Sequence, residues 1–264
     1  MLKRSTAAAA WATILLAVPM LTGCAGEASP SPNGDPASTD APTQTAPPAE
    51  SPSSDPDPAP PQFDRNAHSI DDPMSIWVVS NKRRPLHPID FAPSDLTMPK
   101  NVENQFSQPL RKPAARAVSR MLAAAQADGQ NVWIISAYRD YATQVSLYQR
   151  YVDRDGKTAA DRYSARPGHS EHQTGLVVDL DDHGSCYLEG CFGKTSAGKW
   201  LAKHAAEYGF IVRYPKGKEQ VTGFMPEPWH FRYVGTDLAL EMQRTGVTTL
   251  EEFFGLDPAP DYAS

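Results

Sequence analysis

The 264-residue chain carries 25 Lys and Arg against 31 Asp and Glu, a net charge of −6, and 40% of its residues are hydrophobic. That balance excludes the basic footprint of a nucleic-acid binder. The length allows one large or two small domains, but much of the acidic excess sits in a Pro-rich N-terminal stretch too poor in apolar side chains to fold.

In chain order, Lys3 and Arg4 precede an apolar run from Ala7 to Leu21, which ends in Leu21-Thr-Gly-Cys24. A charged start, a short apolar centre and small residues before a cut predict an export signal over 1–23. The run is short for a membrane span, which needs about 20 apolar residues. Its last four residues resemble the bacterial lipobox, which implies lipidation of Cys24 and attachment to the outer face of the cytoplasmic membrane. Residues 24–62 read as a Pro/Ser/Asp-rich tether without Lys or Arg. About forty such residues reach on the order of 100 Å at full PPII extension. The remaining cysteines, Cys186 and Cys191, are close enough to predict a small disulfide loop in an oxidising compartment.

The folded domain is placed at 63–257, with 258–264 as a tail. Lys112 to Asp128 predicts a helix, with Pro113 in the first turn and Gly129 as the stop. Val132 to Tyr138 predicts a strand and Tyr141 to Tyr151 a second helix. Leu176 to Leu180 predicts a strand whose alternation puts Leu176, Val178 and Leu180 on a core face. Gly175, Val177, Asp179 and Asp181 share the opposite face, read as a pocket floor. A helix from Ser196 to Tyr208 follows, capped by Ser196 or Thr195, then strands at Phe210 to Tyr214 and His230 to Val234. Helices at Thr236 to Arg244 and Leu250 to Phe254 close the domain. Helices and antiparallel-type strands without a βαβ rhythm predict an α+β fold.

The chemistry concentrates in Ser170-Glu-His-Gln-Thr-Gly-Leu-Val-Val-Asp179 and Glu227-Pro-Trp-His230. Two imidazoles and a carboxylate, His172, Asp179 and His230, suit Zn²⁺ and leave a coordination position open for chemistry, unlike a closed Cys-rich structural site. Asp181 is the competing third ligand, and His169 and His183 are competing imidazoles read as peripheral. Glu227 lies three residues before His230, and Pro228 keeps its backbone extended. This predicts a general base presented by a rigid loop. Trp229 suits either a core anchor or a wall of the cleft.

The Ser170-x-His172-x-x-Gly175-x-Val177-x-Asp179 stretch resembles the signature of the VanY-type D-alanyl-D-alanine carboxypeptidases. Further likeness follows in Ser136-Ala-Tyr-Arg-Asp-Tyr-Ala-Thr-Gln144, Cys186 to Cys191, Tyr208-Gly-Phe210, Arg213-Tyr-Pro215 and Glu227-Pro-Trp-His230. The resemblance implies a single Hedgehog/DD-peptidase-like domain, a small antiparallel sheet flanked by helices. It implies Zn²⁺ on His172, Asp179 and His230, and Glu227 as general base and then acid. It further implies that Arg139 stabilises the oxyanion and that Ser170, Gln144 and Tyr214 contact the substrate. The expected activity is removal of the terminal D-alanine from peptidoglycan stem peptides, D,D- or L,D-specific, by a monomer. The alternatives are an endopeptidase on the same site and a non-catalytic wall-binding lipoprotein. Val177 stands where the family signature has Ala, and His204 where an Asn is common. Val177, read as pocket floor, is the expected place for altered specificity.

Overall fold

The structure, a computed structural model, describes residues 63–263. The export signal, Cys24 and the tether lie outside the described residues. Among the described residues no helix is long and apolar enough to cross a membrane.

A two-stranded ribbon, β1 (Leu96–Thr97) with β2 (Leu110–Arg111), leads into helix α1 (Lys112–Ala127). Ala114, Ala117, Val118, Met121, Leu122 and Ala125 form the buried stripe of α1, at the three- and four-residue spacing of a helix face. Strand β3 (Trp133–Ser136), helix α2 (Tyr141–Asp155) and a short helix α3 (Lys157–Ala160) follow. Asp140 caps α2 by accepting a hydrogen bond from the Thr143 N–H at 2.7 Å. A 3-10 turn, Glu171–Thr174, then delivers the chain through Gly175, at φ +67°, into β4 (Val177–Asp181). Helix α4 (Ser196–His204) is capped by Thr195 and tightens into a 3-10 turn at Ala205–Tyr208. Strand β5 (Phe210–Tyr214), helix α5 (Glu219–Thr222), strand β6 (Glu227–Tyr233) and helices α6 (Thr236–Thr245) and α7 (Leu250–Phe254) complete the order.

The second sheet is fully antiparallel in the order β3-β4-β6-β5, so the chain is α+β as expected. The β4 alternation holds on the core side. Leu176, Val178 and Leu180 are completely buried with Phe210 and Phe231, and together with the α1 stripe they form the main core. A second apolar cluster joins Trp77 and Val79 of the N-terminal segment to Ile211, α6 and α7.

Three expectations change. Glu227 is not on a loop; it opens β6, paired with Tyr214, where the β5–β6 register shifts between Val212 and Tyr214. Pro228 keeps Glu227 extended and withholds a ladder donor, which fits a strand at an irregularity as well as a loop. Gly175 and Val177 do not line the cleft. Val177 pairs with Arg232, whose guanidinium reaches the carbonyls of Ile76 and Val78, so the N-terminal segment covers this end of the face. Its extra methyl groups therefore pack inside the domain and do not raise a pocket floor. Finally, the segment read as a tail packs against the domain. Ala259 is buried and donates to Val221 O, Lys82 Nζ donates to Pro260 O, and Tyr262 Oη accepts from the Arg166 N–H.

Candidate metal centre and active site

Antiparallel pairing places Asp179 of β4 directly opposite His230 of β6. Directly opposed residues project from the same face with Cβ atoms about 5 Å apart, so the sheet itself makes two thirds of the constellation. The turn before β4 supplies His172. One ligand atom from each of His172, Asp179 and His230 lies within 4.8 Å of the others, and all three residues are buried. His172 Nε2 is 3.3 Å from Asp179 Oδ2, and His230 Nδ1 is 3.2 Å from Asp179 Oδ1. The two imidazole rings stand nearly perpendicular, at 88°.

The ring nitrogens are sorted by their surroundings. His172 Nδ1 is 2.6 Å from the carbonyl of Ala137. A carbonyl only accepts, so Nδ1 carries the proton and the Nε2 lone pair faces the site. Asp179 Oδ1 is buried without a hydrogen-bond partner. An unpartnered buried carboxylate oxygen between two imidazoles fits a cation, which supplies the missing interaction. The charges agree. Burial opposes ionisation of Asp179, yet His172 and His230 hold it well below the usual carboxylate range. Burial opposes protonation of His230, but Asp179, Glu171 and Glu227 outweigh it and raise its pKa well above the usual value. Burial, with Arg139 and His230, holds His172 below its usual range, so its ring is neutral and can offer a lone pair.

Asp181 lies outside the cluster of His172, Asp179 and His230, and its Oδ2 accepts from Trp133 Nε1 and from the His183 N–H. His183 stacks on Trp133, and His169 Nδ1 faces the carbonyl of Asn81, so neither joins the cluster. Glu227 does join it, with Oε2 at 3.3 Å from His230 Nδ1. Burial pushes its carboxyl upward, against the hydrogen bond with His230.

Arg139 lies between β3 and α2, and its backbone N–H donates to His172 O at 3.2 Å. Its guanidinium donates to Gln144 Oε1 at 2.9 Å and to Ser136 Oγ at 3.1 Å, both neutral acceptors. Among the described residues it makes no ion pair. Burial lowers its pKa, opposed by the charge of Asp179. Gln144 is engaged at both ends, because its Nε2 also donates to Ala165 O at 2.7 Å. It fixes Arg139 and also lines the cleft.

Ser170 and Tyr214 line the same cleft, and the Tyr214 ring lies 4.8 Å from that of His230. The cleft measures about 1260 Å³ and also exposes Tyr187 and Leu188 from the loop closed by the Cys186–Cys191 disulfide. Trp229 serves both readings, packed at the core edge and lining the cleft.

A buried ionic network lies beside this site, on residues for which the sequence suggests no role in it. Glu171 Oε1 accepts from Arg213 Nε at 2.9 Å and from Arg232 Nη1 at 2.7 Å. Glu251 of α7 binds Arg213 in a bidentate pair and accepts from Asn81 Nδ2. The available signal was an arginine set among apolar and aromatic residues near a strand end, Arg213 in Phe210–Tyr214 and Arg232 between Phe231 and Tyr233. A charge there demands a buried partner.

The VanY family model, described as D-alanyl-D-alanine carboxypeptidase, matches residues 107–236. YodJ of Bacillus subtilis (strain 168) is 40% identical over 192 residues, covering 70% of this chain and 69% of that protein. The solved structure of the LdcB LD-carboxypeptidase is 40% identical with a TM-score of 0.64, covering 69% of this chain and 87% of that one. The D,D-pentapeptidase VanY from a VanB-type resistance cassette, solved with Zn(II), is 29% identical with a TM-score of 0.57, covering 68% and 98%. With this breadth of match and the three candidate ligands convergent, the chain belongs to the VanY D-alanyl-D-alanine carboxypeptidase family.

Proposed function

We propose that this protein is a zinc-dependent carboxypeptidase that removes the terminal D-alanine from peptidoglycan stem peptides. The observation that carries the reading is the convergence of His172, Asp179 and His230 with Glu227 at 3.3 Å from His230. These three residues would hold the metal, through His172 Nε2, an Asp179 oxygen and His230 Nδ1. A bound zinc supplies Lewis acidity and lowers the pKa of water to about 7. Glu227 accepts the proton of the attacking water and returns it to the nitrogen of the departing D-alanine, so the proton count closes within one residue. Arg139 points its uncompensated charge at the oxyanion, held in place by Gln144 and Ser136. Ser170 and Tyr214 contact the peptide from the cleft wall.

Identity favours L,D-specificity within this class, 40% to an LD-carboxypeptidase against 29% to a D,D-pentapeptidase. Zinc-loaded protein is expected to release D-alanine from tetrapeptide stems faster than from pentapeptide stems. Equal or reversed rates would remove the L,D assignment, and no D-alanine from either stem would remove the carboxypeptidase. Fragments cut within the stem, detected by mass spectrometry, would instead favour an endopeptidase on the same residues.

For location, the Leu21-Thr-Gly-Cys24 spelling supports a lipid anchor at Cys24 on the outer face of the cytoplasmic membrane, with 25–62 as a spacer toward the wall. Cells expressing the full chain are expected to incorporate labelled fatty acid into it and to release Cys24→Ala protein into the medium or retain it unprocessed. Equal labelling of the Cys24→Ala variant would rule out that attachment site.

A further inference from the structure

Glu171 and His230 each carry a buried polar atom without a hydrogen-bond partner, and these two atoms face one another. Glu171 Oε2 and His230 Nε2 are unpartnered and 3.9 Å apart, with both side chains at least 95% buried. Two complementary groups left unsatisfied side by side in a dry interior are costly, so the pair calls for a state that joins them.

Metal binding defines that state. His230 turns Nδ1 toward Asp179 and Glu227. When Nδ1 gives its lone pair to a cation, the neutral ring carries its proton on Nε2, and the acceptor facing that proton is Glu171 Oε2. The carboxylate is aimed by its other oxygen, which is fixed by Arg213 and Arg232 at 2.9 and 2.7 Å. Those arginines are anchored in turn, Arg213 by Glu251 and Arg232 by the carbonyls of Ile76 and Val78.

We propose that Glu171 is a positioning residue for the metal site, accepting the Nε2–H of His230 and so fixing the tautomer and ring orientation in which Nδ1 binds the ion. This inference rests on the reading of His230 as a metal ligand. It assigns a second task to a carboxylate that could otherwise serve only to neutralise two buried arginines. Glu251 separates the two tasks, because it also pairs with Arg213 but makes no contact with His230.

The test compares Glu171→Gln with Glu251→Gln in the full chain, reading zinc dissociation constants by competition with a chromophoric chelator. In the Glu171→Gln protein the amide oxygen keeps the arginines and the NH₂ group turns on His230, a donor facing a donor. That arrangement selects the tautomer protonated on Nδ1, the nitrogen the metal needs. Glu171→Gln is expected to weaken zinc about 10- to 100-fold, and Glu251→Gln to leave the constant within about twofold while lowering the melting temperature of the metal-free protein. Unchanged zinc affinity in Glu171→Gln, or an equal loss in Glu251→Gln, would overturn the proposal. A wild-type protein that binds no zinc would overturn the ligand reading itself, a separable outcome. Should Glu171→Gln fail to fold, ¹⁵N spectra of the zinc-loaded wild type decide. His230 must show a slowly exchanging, hydrogen-bonded Nε2 proton, and a free or absent one rejects the idea.

Discussion

Replacing Glu227 with glutamine is expected to lower kcat about 10²- to 10⁴-fold, the usual weight of a positioned general base, while the protein still binds zinc stoichiometrically. The substitution keeps the shape and the polar contact with His230, since a Gln oxygen can still accept. What it removes is the capacity to take a proton. Glu227 is well built for that capacity. It is 8% exposed, burial pushes its carboxyl upward, and its Oε2 lies 3.3 Å from His230 Nδ1. A carboxylate that is less stable when charged binds a proton more readily, which suits a group that must first collect and then hold one. The comparison must pair kcat with metal content. A variant that retains both zinc and activity rejects Glu227 as the base, and one that loses zinc along with activity makes Glu227 part of the ion's binding set.

The residues that form the constellation were legible because local rules determine them. Period-two alternation separated Asp179 from the core-facing Leu176, Val178 and Leu180, and the structure keeps that separation. Antiparallel register then does what no local rule states, setting Asp179 against His230. The same alternation grouped Gly175 and Val177 with Asp179; Gly175 falls out because it turns at φ +67° before the strand begins, whereas Val177 is the first residue of β4. What fails is the inference that a shared face is a shared surface. The far end of that face is covered by Ile76 to Val78 through Arg232, contacts 154 and 156 residues apart in sequence. Nothing in a five-residue strand announces which distant segment will lie on top of it.

The ionic network was illegible for a related reason. Glu171, Arg213, Arg232 and Glu251 pair across separations of 38 to 61 residues, so the strand arginines announce that partners are needed but no local rule names them. The helices reverse the pattern. The α1 stripe, the Asp140 cap and the Gly175 turn depend on neighbours within a few residues, and the elements fall close to where spacing puts them. The candidate pair Glu227–His230 sits between these extremes. Its three-residue spacing is local, but whether a proline there marks a loop or an irregular strand depends on β5, which supplies Tyr214 as the partner of Glu227.

Arg139 gives the second large effect, and its direction tests the role directly. Arg139→Ala is expected to lower kcat about 10²- to 10³-fold, as loss of an oxyanion donor does, with a much smaller change in KM and no change in zinc content. An oxyanion exists only in the transition state and the tetrahedral intermediate, so its stabiliser contributes little to ground-state binding. Arg139→Lys should recover only part of the rate. A lysine keeps the charge but cannot donate to Gln144 Oε1 and Ser136 Oγ in the fixed geometry of the guanidinium fork, and the aim of the cation depends on those two bonds. Gln144→Ala then offers a check one step removed, because Gln144 ties Arg139 to the Ala165 carbonyl. Its loss should mimic Arg139→Lys and lower kcat more than it raises KM. If Arg139→Ala instead raised KM steeply at constant kcat, the guanidinium would be holding a charge already present in the substrate, its terminal carboxylate, and the oxyanion would be left to the metal.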